Sequence, residues 1–285
     1  MSLCQRERTF PLAGRNRNSS PKQKAACGKK QNKKAMKTTI IKTSLGLFAG
    51  LALAFTGMQA KANNTTHSLF GIDVSSYQGY ITWSSVYGDG ARFAFAKASE
   101  GTATNDSDFA GNMSRGKTQG LQMGGYHFAY TYESCPSVQV NHFWSRAGSY
   151  ISADGKSIMP MVDFENFNGV ACGEGSYTGW LNDYNLDLNN KTSLNLRTIV
   201  YVSACNACYL NSGINLGAWI ACYNGQNLYT GNPWSTCTSC NVWGGSNSWS
   251  YWQVSSTGRI SGISGNCDFD AYNGTLAELK SWQGV

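Results

Sequence analysis

Four things are missing from this chain. It has no internal repeat and no long linker, so nothing divides it beyond the N-terminus into separate folding units. It has no apolar run long enough for a confident membrane-spanning helix. Past residue 62 it has no excess of basic residues. It also lacks any grouping of Ser and His that would suggest a nucleophile and its base.

The charge deficit excludes most directly. Residues 1–62 hold 13 Lys and Arg against one Glu. Of 23 basic and 16 acidic residues in the chain, 10 and 15 remain for 63–285, a net charge of about −5. A protein that tracked phosphates would keep its Lys and Arg there, so no nucleic-acid partner is expected.

What is present begins at Met36. Lys37 and Lys42 give a basic start, "LGLFAGLALAFTG" (45–57) an apolar core, and "AKA" (60–62) small residues at −3 and −1. That is the layout of a secretory signal peptide, expected at 36–62 with cleavage near Ala62, against the alternative of an uncleaved anchor. Residues 1–35 are basic and polar, with no apolar period. They read as a disordered leader, or as a mis-set start with Met36 the true first residue. The remaining 63–285 suit one domain. Its expected location is secreted, extracellular or periplasmic, with no stable membrane association after cleavage and a monomeric state.

Eight cysteines lie in that domain: Cys135, Cys172, Cys205, Cys208, Cys222, Cys237, Cys240 and Cys267. An even number in an exported chain points to disulfides, with the pairing left open. "CNAC" (205–208) and "CTSC" (237–240) also have zinc-site spacing, but an oxidising compartment favours bridges. Cys222 and Cys267 fall inside apparent strands and fit buried thiols as well.

Eight short apolar runs recur: 69–74, 92–98, 123–130, 157–165, 197–203, 216–223, 250–256 and 265–272. Helix-like segments stand between several of them, at 106–119, 137–150 and 176–190. Alternating strands and helices predict an α/β fold with a parallel sheet, and eight strands predict a small, TIM-like (β/α) barrel. The loop-rich stretch 224–249 makes it irregular.

Such barrels carry their chemistry where strands end. "PMVDFENF" (160–167) puts Asp163 and Glu165 at one strand end, two residues apart and so on one side. Their Cα atoms are expected roughly 6.5–7 Å apart. Carboxyls that close resist joint ionisation, so one keeps a proton to donate while the other stays charged. Glycosidic cleavage uses such a pair. Paired acids can equally cap a helix or edge a loop. Other strand ends add Asp73 in "GIDVSSYQG", Asp268 and Asp270 in "GNCDFDAYNG", Tyr126 and His127 in "GGYHFAY", and Trp252 and Gln253 in "YWQ". First and last strands are neighbours in a closed barrel, so these acids are expected to converge on one mouth.

At these residues the sequence resembles glycoside hydrolase family 25, the Chalaropsis-type lysozymes, over about 69–282. Its markers run in order: "GIDVSSYQG" followed by "ITW", "FAFAKASEG", "GGYHFAY", "MVDFE", "AWIACY" and "YWQVSSTGRISGISGNCDFDAYNG". The resemblance implies an irregular barrel that hydrolyses the β-1,4 bond between N-acetylmuramic acid and N-acetylglucosamine in peptidoglycan, with no cofactor or metal. It matches Glu165 to the general acid, Asp163 to the assisting carboxylate, and Asp73 and Asp268 to the other two acids. Tyr126 matches a ring at the cleft floor. Tyr223, Trp219 and Trp252 are candidate sugar platforms.

Asp270, also placed in the substrate site, stands where the family often carries Asn. Tyr130 stands where many relatives have Arg. Lys97 and Glu100 read as an ion pair supporting a strand end, and His127 as a packed structural histidine. Other readings are a barrel glycosidase on N-deacetylated peptidoglycan or another amino-sugar polymer such as chitin, and a non-catalytic glycan-binding barrel.

Overall fold

The computed structural model describes residues 69–192 and 195–281. The leader expected at 1–35 and the export signal expected at 36–62 lie outside the described residues.

Nine strands form one sheet. In chain order they are β1 (Leu69–Val74), β2 (Ala91–Glu100), β3 (Thr104–Asn105), β4 (Gln122–Phe128), β5 (Met161–Asp163), β6 (Ile199–Ser203), β7 (Gly217–Ala221), β8 (Tyr251–Gly258) and β9 (Cys267–Tyr272). The sheet order is β1-β9-β8-β7-β6-β5-β4-β2-β3, and a further β1–β2 pairing closes eight strands into a barrel. The two-residue β3 folds back on the end of β2 outside the ring. All eight apolar runs read from the sequence become ring strands. The predicted helices form as α2 (Phe109–Thr118), α3 (Pro136–Ala147) and α4 (Tyr177–Thr192), with short α1 (Trp83–Gly88) before them and α5 (Leu276–Ser281) at the end. Residues 224–249 carry only two short 3-10 turns. No helix among the described residues is long and apolar enough to cross a membrane.

Strand alternation sorts the side chains into two cores. Leu69, Phe93, Phe95, Tyr126, Met161, Ile199, Tyr201, Trp219, Tyr251 and Tyr272 fill the barrel interior. Ile72, Ala94, Val162, Phe164, Val200, Ile220, Trp252 and Ala271 face outward and meet the helices. The interior is a stack of rings: Phe95 lies 5.5 Å from Phe93, 4.9 Å from Trp219 and 5.0 Å from Tyr251. Glycines make room for them. A Cβ on Gly71 would stand 2.4 Å from the Phe93 ring, and one on Gly124 would stand 2.7 Å from Phe95. The outer helices present their buried residues at helical spacing: Gln139, Val140, Phe143 and Ala147 on α3, and Trp180, Leu181, Tyr184 and Leu188 on α4.

One strand departs from the expected pattern. The strands β1, β2, β4, β5, β6, β7 and β8 run parallel to their ring neighbours, but β9 runs antiparallel to both β8 and β1. The sequence reading put Asp268 and Asp270 at the end of the last strand. Asp268 lies instead near its start and Asp270 in its middle, and the reversed direction is what carries that start to the mouth. There Asp268 faces Asp73 in register, at the end of β1.

Two disulfides brace the loops. Cys135–Cys172 joins the start of α3 to the segment after β5, and Cys205–Cys237 joins the segment after β6 to the 224–249 region. Cys222 and Cys267 are buried thiols. The first bridge spans 37 residues, which in the chain-entropy picture is a stabilisation of roughly 3–4 kcal/mol. Replacing Cys135 and Cys172 together by Ser is predicted to lower unfolding free energy by about that amount, read by denaturant titration. A loss under about 1 kcal/mol would mean that the loop is held by its packing alone.

Candidate active site

The strand β5 is short, and the residues just past its end are held as an extension of the sheet. Ala129 N–H donates to the Asp163 carbonyl and Phe164 N–H to the Tyr201 carbonyl, each at 2.9 Å. Phe164 is fully buried on the outer side, 4.8 Å from Phe167 and 5.2 Å from Tyr177. That anchoring ring fixes the alternation, so Asp163 and Glu165 on either side of it turn toward the barrel mouth. The Asp163 carboxyl is buried. Glu165 is half-buried, and its Oε1 is shielded from solvent with no hydrogen-bond partner among the described residues. A sheltered carboxyl oxygen without a partner is costly unless a substrate group completes it.

Across the mouth, β1, β6, β7, β8 and β9 build a polar network. Asp73 Oδ2 accepts from Gln253 Nε2 at 2.6 Å, and Gln253 Oε1 accepts from the hydroxyls of Tyr201 at 2.8 Å and Tyr223 at 2.5 Å. An ionised Asp73 only accepts, which turns the amide nitrogen toward it and leaves the oxygen to the two phenols. Asp270 is fully buried, and its Oδ1 accepts from Trp219 Nε1 at 2.8 Å. Burial first, then the charge of Asp73, raise the Asp270 carboxyl well above its usual range; the bond from Trp219 opposes them and the charge of Asp268 adds to them. Asp270 is therefore held toward its neutral form. Asp268, buried beside them, completes the acid group.

The other residues read from the sequence divide clearly. Tyr126 is buried at the floor, its ring 6.3 Å from Trp219. Trp219 is buried too, wedged 4.7 Å from Tyr201, and serves as floor and as donor to Asp270 rather than as an open platform. Tyr223 is half-buried at the end of the β7 run, where its ring can still meet a ligand.

Trp252 requires a correction. It is fully buried on the outer face, its Nε1 donating to the Cys222 carbonyl at 2.8 Å. It cannot stack on a sugar. Its neighbour Gln253 has the inward parity, and with Tyr201 is the contributor that the sequence reading left without a role. Alternation was the available signal for both.

Lys97 pairs with Glu100 at 2.5 Å and lies over the Phe128 ring, as a support of the β2 end. Burial would raise the Glu100 carboxyl, but hydrogen bonds from Lys97 and from the Tyr130 hydroxyl together hold it below its usual value. Burial first, then that bond to Glu100, pushes the Tyr130 hydroxyl upward. His127 is fully buried outside the barrel between Ser99 Oγ and Gln139 Oε1, each 2.9 Å away, and burial drives it down to about 4. It is a neutral structural histidine.

Comparison with known proteins bears on the family and the fold. The family model for glycosyl hydrolases family 25 matches residues 72–263. "Lysozyme M1" of Streptomyces globisporus is 33% identical over 218 residues, covering 75% of this chain and 71% of its own length. An N,O-diacetylmuramidase of a Chalaropsis species is 34% identical over 99 residues, 34% of this chain and 46% of its own length. The crystal structure of a bacterial lysozyme from Streptomyces coelicolor superposes with a TM-score of 0.62 at 31% identity, covering 76% of this chain and 97% of its own.

Two buried groups give opposite pH dependences. Unfolded His127 takes up a proton near 6.5, whereas the folded one resists until about 4. Stability therefore rises with pH across that window, by roughly 3 kcal/mol in all. Asp270 does the reverse: the unfolded chain releases its proton in the ordinary carboxyl range while the folded chain keeps it, so stability falls as pH climbs through and above that range. Asp270→Asn keeps the shape and removes the titration. Relative to wild type, the variant is predicted to gain stability steadily from pH 4 to 7 in denaturant titrations. A pH-independent difference would contradict a proton held on Asp270.

Proposed function

The chain belongs to the glycosyl hydrolases family 25 as a lysozyme-type glycoside hydrolase, and from that premise we propose that Glu165 and Asp163 cleave the β-1,4 bond between N-acetylmuramic acid and N-acetylglucosamine in peptidoglycan. Peptidoglycan is the substrate class of the family. The observation that carries the assignment of roles is the unpartnered, sheltered Oε1 of Glu165 beside the buried Asp163 carboxyl.

Glu165 acts as the general acid. Its proton goes to the glycosidic oxygen as the bond to the muramic carbon breaks, which makes the departing N-acetylglucosamine end a neutral alcohol. Asp163 supplies negative charge as positive charge develops on the sugar ring, and it orients the N-acetyl group or an attacking water. Asp73 and Asp268 line the opposite wall. The raised Asp270 carboxyl and the bond from Gln253 to Asp73 keep that wall from carrying full repulsion. Tyr126 closes the floor where the acetamido group would lie, and Tyr223 offers its ring to a sugar at the rim.

The enzyme is proposed to act outside the cytoplasm as a monomer, with 36–62 as its export signal and 63–285 as the mature lysozyme domain. Support comes from the disulfides and from the loss of positive charge beyond residue 62.

Glu165→Gln removes the transferable proton and keeps the shape. It is predicted to lower the rate of release of reducing ends from purified peptidoglycan by at least about a thousandfold, with an unchanged unfolding midpoint. Activity within about tenfold of wild type would remove Glu165 from the acid role.

A further inference from the structure

The four cysteines of "CNAC" and "CTSC" come together, and only two of them are bridged. Cys205 and Cys237 form the disulfide. Each begins a Cys-x-x-Cys stretch that closes in a 3-10 turn, Ala207–Tyr209 in one case and Thr238–Cys240 in the other. Side chains three residues apart in such a turn eclipse one another. Two turns joined at their first cysteines therefore bring their second cysteines to the same side. Cys208 Sγ and Cys240 Sγ each lie 3.4 Å from one acceptor, the Cys205 carbonyl oxygen, and the two thiols are within hydrogen-bond reach of each other. Cys208 is exposed and Cys240 half-buried, so an external reagent meets Cys208 first.

We propose that Cys208 and Cys240 are a second disulfide of this clip, closed by exchange with a small external disulfide such as oxidised glutathione. The Cys208 thiolate attacks one sulfur of the reagent, the reagent's S–S bond breaks, and one small thiol leaves. The Cys240 thiolate then attacks the Cys208 sulfur, and the second small thiol leaves. Two electrons pass from the cysteine pair to the reagent, and the two cysteine protons end on the two released thiols. Burial and the neighbouring Cys240 keep the Cys208 thiol above its usual value, so closure quickens as pH rises.

The clip bears on the site through one ring. Tyr209 comes directly after Cys208 and stacks on Phe167 at 4.5 Å, and Phe167 packs at 4.8 Å on Phe164, between the two candidate carboxyls. Either bridge alone joins the two turns. With both closed, cutting one leaves Tyr209 still tethered to the 224–249 region.

The test uses the folded full-length chain, with and without oxidised glutathione. Thiols are then alkylated under denaturing conditions, the chain is digested, and the linked peptides carrying 205–208 and 237–240 are weighed. Without oxidant, one bridge and two alkyl groups are expected. With oxidant, the alkyl groups vanish and the linked pair is two hydrogens lighter than its unalkylated single-bridge form. In Cys208→Ser, Cys240 is expected to stay alkylatable after oxidation. Three results would overturn the proposal: alkylation of both residues after oxidation, bridging of either to Cys222 or Cys267, or one zinc ion per chain in the untreated protein that is lost in Cys208→Ser.

Discussion

The crowding of buried carboxyls around Asp270, which drives that group toward its neutral form, is the constraint on which the mouth of this barrel depends. Asp73, Asp268 and Asp270 sit on adjoining strands, all buried, with Asp163 buried on another strand end. That many ionised carboxyls in a sheltered space would repel one another. Holding Asp270 toward its neutral form relieves that repulsion. Gln253 extends the same solution, since its amide nitrogen serves Asp73 while its oxygen is held by two tyrosines. The resemblance implies that relatives often place Asn at the Asp270 position. A protonated Asp and an Asn are physically alike there, as each is a neutral group of the same shape.

A second constraint acts from the opposite wall. The candidate acid lies past the end of β5, where backbone would ordinarily begin to wander. It is held by bonds to β4 and β6, by Phe164 inserted among outer rings, and by the Cys135–Cys172 bridge a few residues on. Below both walls the interior rings form a packed floor rather than a channel. The chemistry is therefore confined to the open end of the ring.

Much of this was legible in the sequence. The eight ring strands stand out as apolar runs of strand length, and the long helices as periodic stretches between them. Alternation, applied to each run, predicts that Asp73, Tyr126, Asp163, Trp219, Gln253 and Asp270 face inward. It also predicts that Trp252 faces outward, so its burial was implied by a pattern already present. What alternation cannot supply is strand direction. A run of six residues reads the same in either sense, and the antiparallel course of β9 depends on pairing with β8 and β1, a tertiary property. The same limit applies to the cysteines: their even number announces bridges, whereas the pairing needs the two 3-10 turns to be placed side by side. The proton on Asp270 was illegible for a third reason, since it depends on complete burial beside another charge.

The proposed activity turns on one chemical event, scission at the reducing side of muramic acid by the Asp163 and Glu165 pair. Mass spectrometry of soluble products from purified peptidoglycan incubated with the enzyme tests it most directly. Fragments ending in a reducing N-acetylmuramic acid are predicted. Fragments ending in reducing N-acetylglucosamine, or tight binding to the wall with no new reducing ends, would contradict it.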